Sequence, residues 1–217
     1  MTTSPVSGSE SSGFYRLHPS IQKWIWSSGW TELRDAQELA IPLILDSTRD
    51  VIIAASTASG KTEAAFLPIL TRLAEGENLS VLYVSPLKAL INDQWRRLED
   101  LAELLGIPVT PWHGDISQSR KSRFLKQAQG CLLITPESLE ALLMRHGHGL
   151  GGLLAGLQFV VVDELHAFMG AERGRQLQSL LGRVEQILGR TVRRVGLSAT
   201  LGDMRGAADF LRPGNGA

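Results

Sequence analysis

Residues 51–62 read Val51-Ile52-Ile53-Ala54-Ala55-Ser56-Thr57-Ala58-Ser59-Gly60-Lys61-Thr62. A short run, apolar on both faces, gives way to small and hydroxylated residues that end in Gly-Lys-Thr. The run has the character of a strand buried in a parallel sheet. Residues 55–62 are spaced as G-x-x-x-x-G-K-[ST], with Ala55 standing where the first glycine is usual. The physical requirements of a phosphate loop are met. Small residues let backbone N–H groups curl around phosphate oxygens, Gly60 permits close approach, Lys61 brings a cation to the β and γ oxygens, and the Thr62 hydroxyl can ligate Mg²⁺. The competing reading is an ordinary strand-to-helix turn capped by Ser59; the buried strand before and the helical period after favour the phosphate loop.

Working outward, four more apolar runs recur: Val81–Val84, Leu132–Ile134, Phe159–Val162 and Arg194–Leu197. Between them the apolar residues take helical spacing. Leu90, Ile91, Trp95, Leu98, Ala102 and Leu105 form one stripe, and Leu177, Leu180, Leu181, Val184, Ile187 and Leu188 another. Strand–helix–strand repetition predicts an α/β fold, a mostly parallel central sheet with right-handed crossovers and helices on both faces. Pro68 lies inside the helix that starts near Lys61, which predicts a kink or an early end there. Residues Gly147–Gly156 (GHGLGGLLAG) read as a flexible connection. Met1–Gly13, rich in Ser, Thr, Gly and Pro, reads as a disordered lead-in.

In open α/β sheets ligands bind beyond the carboxyl ends of the strands, so the residues leaving each strand carry the functional information. The exits are Ala55–Thr62, Ser85-Pro86-Leu87-Lys88, Thr135-Pro136-Glu137, Asp163-Glu164-Leu165-His166 and Ser198-Ala199-Thr200. Asp163 and Glu164 come after four apolar residues, as the acids of a Walker B site do. An acid there can hold the water shell of Mg²⁺, and its neighbour can orient or deprotonate an attacking water. Two acids capping the next helix would be the plainer reading, but a phosphate loop in the same chain, at this order and distance, argues for the metal site. His166 could be merely a polar residue on the first turn of the next helix, but it sits three residues after Asp163, close enough to hydrogen-bond a Ser198 or Thr200 side chain from the adjacent exit. No metal-ligand spacing emerges among His18, His113, His146 and His148.

Composition narrows the partners. The 217 residues carry 22 basic and 22 acidic side chains, so no global basic field marks a bulk nucleic-acid coat protein. Locally, residues 117–130 (SQSRKSRFLKQAQG) hold Arg120, Lys121, Arg123 and Lys126 with no acid. A solvated helix face and a contact to a phosphate backbone explain that surplus about equally. Trp24, Trp26 and Trp30 form an aromatic cluster better explained by core packing than by base stacking. Cys131 is the single cysteine, which excludes a disulfide framework and fits a reducing compartment. No apolar stretch is long enough to span a membrane, and the N-terminus has no secretory pattern, so a soluble cytoplasmic protein is expected.

Taken together, the segments WTELRDAQ, ASTASGKTEAAF, SPLKALINDQ, Gly114-Asp115, TPESLE, VDELHAF and GLSATLGD, in that order, resemble the first RecA-like domain of a superfamily 2 helicase of the DExH type, most of all the Lhr-like group. The resemblance runs from about Phe14 to Leu211. It implies a RecA-like P-loop NTPase domain over residues 14–211. It implies that Gln37 reads the adenine edge, with Phe14 or Tyr15 against the base, and that Thr57, Ala58, Ser59, Gly60, Lys61 and Thr62 bind ATP. Thr62 and Asp163 would hold Mg²⁺, with Glu164 as general base. His166, Ser198 and Thr200 would couple hydrolysis to movement. Pro86, Leu87, Lys88, Gly114, Asp115, Thr135, Pro136 and Glu137 would line a track for single-stranded DNA or RNA, held largely by helix N-termini and backbone amides. Residues 212–217 are expected to begin an interdomain linker toward a second RecA-like domain.

The resemblance implies that this second domain carries the arginine fingers, each worth on the order of 10³–10⁵ in rate in P-loop enzymes. The chain alone is therefore expected to bind ATP weakly, to hydrolyse it poorly and not to unwind a duplex. Two other readings compete with this motor half. One is another P-loop ATPase, which has no use for the Pro86, Thr135 and Ser198 segments. The other is a nucleotide-dependent nucleic-acid adaptor without turnover, which has no chemical need for Lys61, Asp163 and Glu164.

Overall fold

The computed structural model describes residues 12–56, 60–74, 78–147, 149–199 and 201–214. Thr57, Ala58, Ser59 and Thr200, as well as most of the predicted lead-in, lie outside the described residues.

Six strands, β1 (Val51–Ala54), β2 (Leu79–Val84), β3 (Val109–Trp112), β4 (Gly130–Ile134), β5 (Phe159–Val162) and β6 (Arg193–Ser198), form one sheet in the order β1-β6-β5-β2-β4-β3. Every pairing is parallel. The helices are α1 (Pro19–Ser27), α2 (Asp35–Asp46), α3 (Lys61–Leu73), α4 (Lys88–Glu103), α5 (Gln118–Lys126), α6 (Pro136–Arg145), α7 (Leu150–Leu154), α8 (Glu172–Leu188) and α9 (Met204–Leu211). They divide between the two faces. Val81, Tyr83, Leu133, Val161 and Leu197 pack with residues of α1 to α4 in one core. Leu82, Val84, Leu132, Val160 and Val162 pack with α5 to α9 in the other. Period-two alternation sends neighbouring residues of each strand to opposite cores. The sequence displays only a continuous apolar run because both faces are covered.

Three local readings change. The short strand β3 is not among the apolar runs that predict strands. It holds Pro111, which has no N–H to give a ladder, and the fold accordingly puts β3 at the sheet edge beside β4. Pro68 neither ends nor shortens α3, which continues to Leu73. Phe66, Leu67, Ile69 and Leu70 around it have no exposed surface, so burial on all sides outweighs one missing hydrogen bond. Residues Gly147–Gly156 are not merely a connection: α7 forms within them because Leu150 and Leu154 reach the core. The tryptophans divide. Trp24 and Trp30 meet edge to face at 5.4 Å against the core, whereas Trp26 is mostly exposed.

Gly130 is sterically obligatory. Gly130 opens β4 with φ of +68°, and a Cβ there would come within 2.1 Å of the Pro108 carbonyl oxygen. Gly130→Ala is expected to destabilise the fold by about 3 kcal/mol or more, since a left-handed non-glycine costs roughly 1–3 kcal/mol before any clash. Gly151→Ala in α7, where a Cβ would meet nothing within 4 Å, is the contrasting substitution and should be neutral or mildly stabilising. Urea unfolding midpoints measure both; equal midpoints for the two variants would contradict the steric role of Gly130.

Candidate functional site

Because all six strands are parallel, every strand exit lies on the same edge of the sheet. The phosphate-loop segment leaves β1, which is an edge strand next to β6, which in turn neighbours β5. Ala54 pairs with Ser198 in register, and the Ala55 N–H donates to the Ser198 carbonyl at 3.2 Å. The loop closes at Gly60, whose φ of +70° is the left-handed conformation glycine adopts without penalty. A Cβ on Gly60 would sit 2.6 Å from Gln37 Nε2, so a side chain there would push the Gln37 amide from its place.

Lys61 and Thr62 open α3 and are both buried. The Lys61 ammonium donates to the carbonyls of Ala55 and Ser56 at 3.0 and 3.1 Å, which folds the side chain back across the loop. Asp163, directly after β5, is buried as well. It accepts a hydrogen bond from the Tyr83 hydroxyl. Burial raises the Asp163 carboxyl above the ordinary carboxylate range, while the Tyr83 hydrogen bond and the nearby Lys61 charge oppose the rise. Lys61 and Asp163 therefore lie within electrostatic reach of each other.

Glu164 adopts φ 47° and ψ 48°, and among the described residues it is the one non-glycine in the left-handed region. The turn Leu165–Ala167 then brings His166 Nδ1 to 3.1 Å from the Ser198 Oγ and 3.4 Å from a Glu164 carboxylate oxygen. One ring nitrogen thus stands between the acid leaving β5 and the hydroxyl ending β6. Backbone strain of this kind costs of order 1–3 kcal/mol and concentrates at functional sites.

Gln37 has no exposed surface. Its Oε1 accepts from the Arg34 N–H at 3.0 Å and its Nε2 donates to the Gly60 carbonyl at 3.5 Å, so it bridges the start of α2 to the loop. Phe14 packs edge to face on Tyr15 and Trp26, half-buried against the core.

The remaining exits build a second feature. Pro86, Leu87, Lys88, Gly114, Thr135 and Glu137 line one groove of about 820 Å³. Asp115 pairs with Lys88 at 3.2 Å, and Pro136, buried at the first position of α6, lies outside the lining. Thr135 caps α6 by accepting from the Ser138 N–H at 3.3 Å, and α4 begins at Lys88 with no acid in its first turn. Two helix N-termini thus face the groove. Lys121 of the basic α5 also lines it, together with Arg145 of α6.

Three residues that the sequence does not single out organise these parts. Tyr83 holds the Asp163 carboxylate. Arg173 of α8 donates to Glu137 at 2.8 Å and to the Pro86 carbonyl at 2.9 Å, so Glu137 is occupied as a counter-ion. His113, buried behind Gly114, shares a 3.1 Å hydrogen bond with Asn92 of α4, and burial lowers its pKa below the usual imidazole value. Only Tyr83 leaves a trace in the sequence, as a phenol in an otherwise aliphatic run.

Comparison with known proteins adds the lineage. A model of the family described as DEAD/DEAH box helicase matches residues 34–207. The ATP-dependent helicase Lhr-Core of Methanothermobacter thermautotrophicus is 34% identical over 213 residues, covering 90% of this chain and 24% of the relative. That of Methanocaldococcus jannaschii is 36% identical over 219 residues, covering 92% of this chain and 25% of the relative. The structure of the Mycobacterium smegmatis helicase Lhr bound to ssDNA and AMP-PNP superposes with a TM-score of 0.81 at 33% identity, covering 92% of this chain and 27% of that one. The chain thus spans about a quarter of the length of the relatives it matches, and its fold is that of a RecA-like helicase domain. With a family model matched across most of its length, and with the same order of loops at one edge of a parallel sheet, this chain belongs to the DEAD/DEAH box helicase family.

Proposed function

We propose that this chain is the ATP- and nucleic-acid-binding half of an ATP-dependent helicase or translocase motor, working in the cytoplasm with a second RecA-like domain. The observation that carries the proposal is the convergence of Lys61, Asp163 and Glu164 at one end of the sheet whose other exits line the groove of Pro86, Lys88, Gly114 and Thr135. A nucleotide pocket and a polynucleotide track then share one rigid edge. The buried free thiol of Cys131 accords with a reducing compartment.

In this reading Thr57, Ala58, Ser59 and Gly60 supply backbone amides to the triphosphate, and Lys61 exchanges the carbonyls of Ala55 and Ser56 for phosphate oxygens. The hard oxygen donors Thr62 and Asp163 suit Mg²⁺, both sitting buried beside the loop. The ion would supply charge neutralisation on the phosphates. Glu164 takes the proton of the attacking water. Gln37 reads adenine only by giving up its contact with Gly60, which would link base recognition to loop shape. Phe14 flanks the base. His166, Ser198 and Thr200 pass the state of the nucleotide to β6, the strand between the two acid-bearing and lysine-bearing exits.

The nucleic-acid contacts come from the helix N-termini at Lys88 and Pro136 and from the Lys88 ammonium, with Leu87, Gly114 and Asp115 at the rim. Neutral overall charge is compatible with this, because amides at helix ends hold phosphates without a basic surface. Glu137 plays an indirect part, since its carboxylate is engaged by Arg173. The relative whose structure matches over most of this chain holds ssDNA and AMP-PNP, which supports both ligand classes.

Fluorescence anisotropy of labelled single-stranded DNA and RNA, with and without a non-hydrolysable ATP analogue, tests the proposal. Binding that strengthens with the analogue is expected; no binding in either state removes the helicase reading. The same assay separates bracing from direct contact at Arg173. Arg173→Ala is expected to weaken binding about 10-fold while leaving the slope of affinity against salt unchanged, because a phosphate contact would lower that slope by about one.

A further inference from the structure

Tyr83 is wholly buried, one residue before the end of β2, with its ring 5.8 Å from that of Phe66 in α3. A phenylalanine would fill the same space and suit the core formed by Val81, Leu133 and Val161 around it. The hydroxyl is the surplus group, and in the interior a hydroxyl requires a partner. Its partner is the Oδ2 atom of Asp163. The register makes the pairing rigid: Tyr83 lies beside Val161, Val84 beside Val162, and the Asp163 N–H donates to the Val84 carbonyl at 2.8 Å. Glu164, the next residue, takes a left-handed conformation that starts the turn to His166. A donor on the neighbouring strand therefore holds this carboxylate, and the backbone bond to Val84 fixes the residue that carries it.

We propose that Tyr83 is a positioning residue for Asp163: its hydroxyl pins one carboxylate oxygen so that the acid meets the water shell of a divalent cation in a preset orientation. The inference rests on the reading of Asp163 as a metal-site acid. Partners of this kind, one bond removed from the ion, typically contribute 10–100-fold in metal affinity. Tyr83 also ties the acid to α3, since Phe66, on which its ring packs, shares that helix with Lys61 and Thr62.

The test uses the 217-residue chain and N-methylanthraniloyl-ADP as probe. Tyr83→Phe should leave affinity without Mg²⁺ unchanged and raise the Mg²⁺ concentration that half-saturates the metal-dependent gain by about 10-fold. In an Asp163→Asn background the same change should add nothing, since the two residues act as one unit. A second measurement needs no substitution. In chain labelled with [ζ-¹³C]tyrosine, the Tyr83 signal should move when Mg²⁺ is added to the ADP complex, while that of the exposed Tyr15 stays in place. Superimposable Mg²⁺ titrations of Tyr83→Phe and the parent chain, or a Tyr83 signal indifferent to Mg²⁺, overturn the inference and leave the nucleotide reading standing. Failure of the parent chain to bind the probe at all overturns both.

Discussion

Lys61→Ala is expected to abolish most nucleotide binding while leaving the chain folded. The ammonium is buried and is satisfied by two backbone carbonyls, so it is not a loose surface charge. Neutral carbonyl acceptors hold an ammonium less strongly than anionic phosphate oxygens do, and a ligand that offers the latter draws the side chain off the loop. A hydrogen bond to a charged group is worth roughly 1.5–3 kcal/mol, so losing it should weaken binding by about 10- to 100-fold. Truncation at Lys61 removes the donor to Ala55 and Ser56 and a short methylene stem, while the remainder of α3 stays buried in the core it shares with β1 and α2. Titration with a fluorescent ATP analogue, beside a thermal unfolding curve, reads both quantities. Unchanged affinity with a lowered melting temperature would make Lys61 a brace of its own loop and nothing more.

Glu164→Gln is expected to separate binding from turnover. The amide keeps the shape of the side chain and the left-handed backbone, but it cannot take a proton from water. General-base catalysis typically contributes 10²–10⁴-fold, so ATP hydrolysis in the longest natural reading frame should fall by about that factor, with nucleotide affinity retained. Steady-state phosphate release in the presence of single-stranded nucleic acid measures it. Glu164→Gly supplies a complementary readout. Glycine adopts φ 47° freely, so this variant should be as inactive as the glutamine one yet melt at a higher temperature, because the backbone strain at this position is relieved. Should hydrolysis survive both Lys61→Ala and Glu164→Gln, the roles assigned to the two exits are wrong.

These expectations draw unequally on the sequence. The buried strands are legible because a sheet covered on both faces demands continuous apolar runs, and Val81–Val84 or Phe159–Val162 leave little other use for themselves. The strand Val109–Trp112 is not, since proline and a flanking polar loop erase that pattern at a sheet edge. The helix Leu150–Leu154 is hidden by the five glycines of residues 147–156, whose cost is outweighed only once Leu150 and Leu154 find the core. Pro68 misleads in the same way, as a local rule overridden by tertiary burial.

At the site, chemistry-bearing residues announce themselves by their position after each strand, where packing asks for nothing in particular. Their relations do not. Nothing in the run LSVLYV says that its phenol will meet an acid 80 positions later, nor in GAERGRQL that an arginine will seat both Pro86 and Glu137. The acidic Glu137 shows the limit most clearly. Among the track-lining exits it reads as a contact to a polyanion, and only its pairing with Arg173 turns it into a counter-ion.

The order of small, apolar and ionisable residues along this chain was enough to determine the α/β class and the family and to single out the loops to which the chemistry is assigned, because each is written in a local pattern a few residues long. The tertiary structure alone decided which strands became neighbours, and thereby that Ser198 lies between the lysine and the acids, that Gln37 rests on Gly60, and that Tyr83 meets Asp163. Such meetings depend on strand order and register, which arise from the packing of the whole sheet between its two layers of helices and have no representation in any single segment.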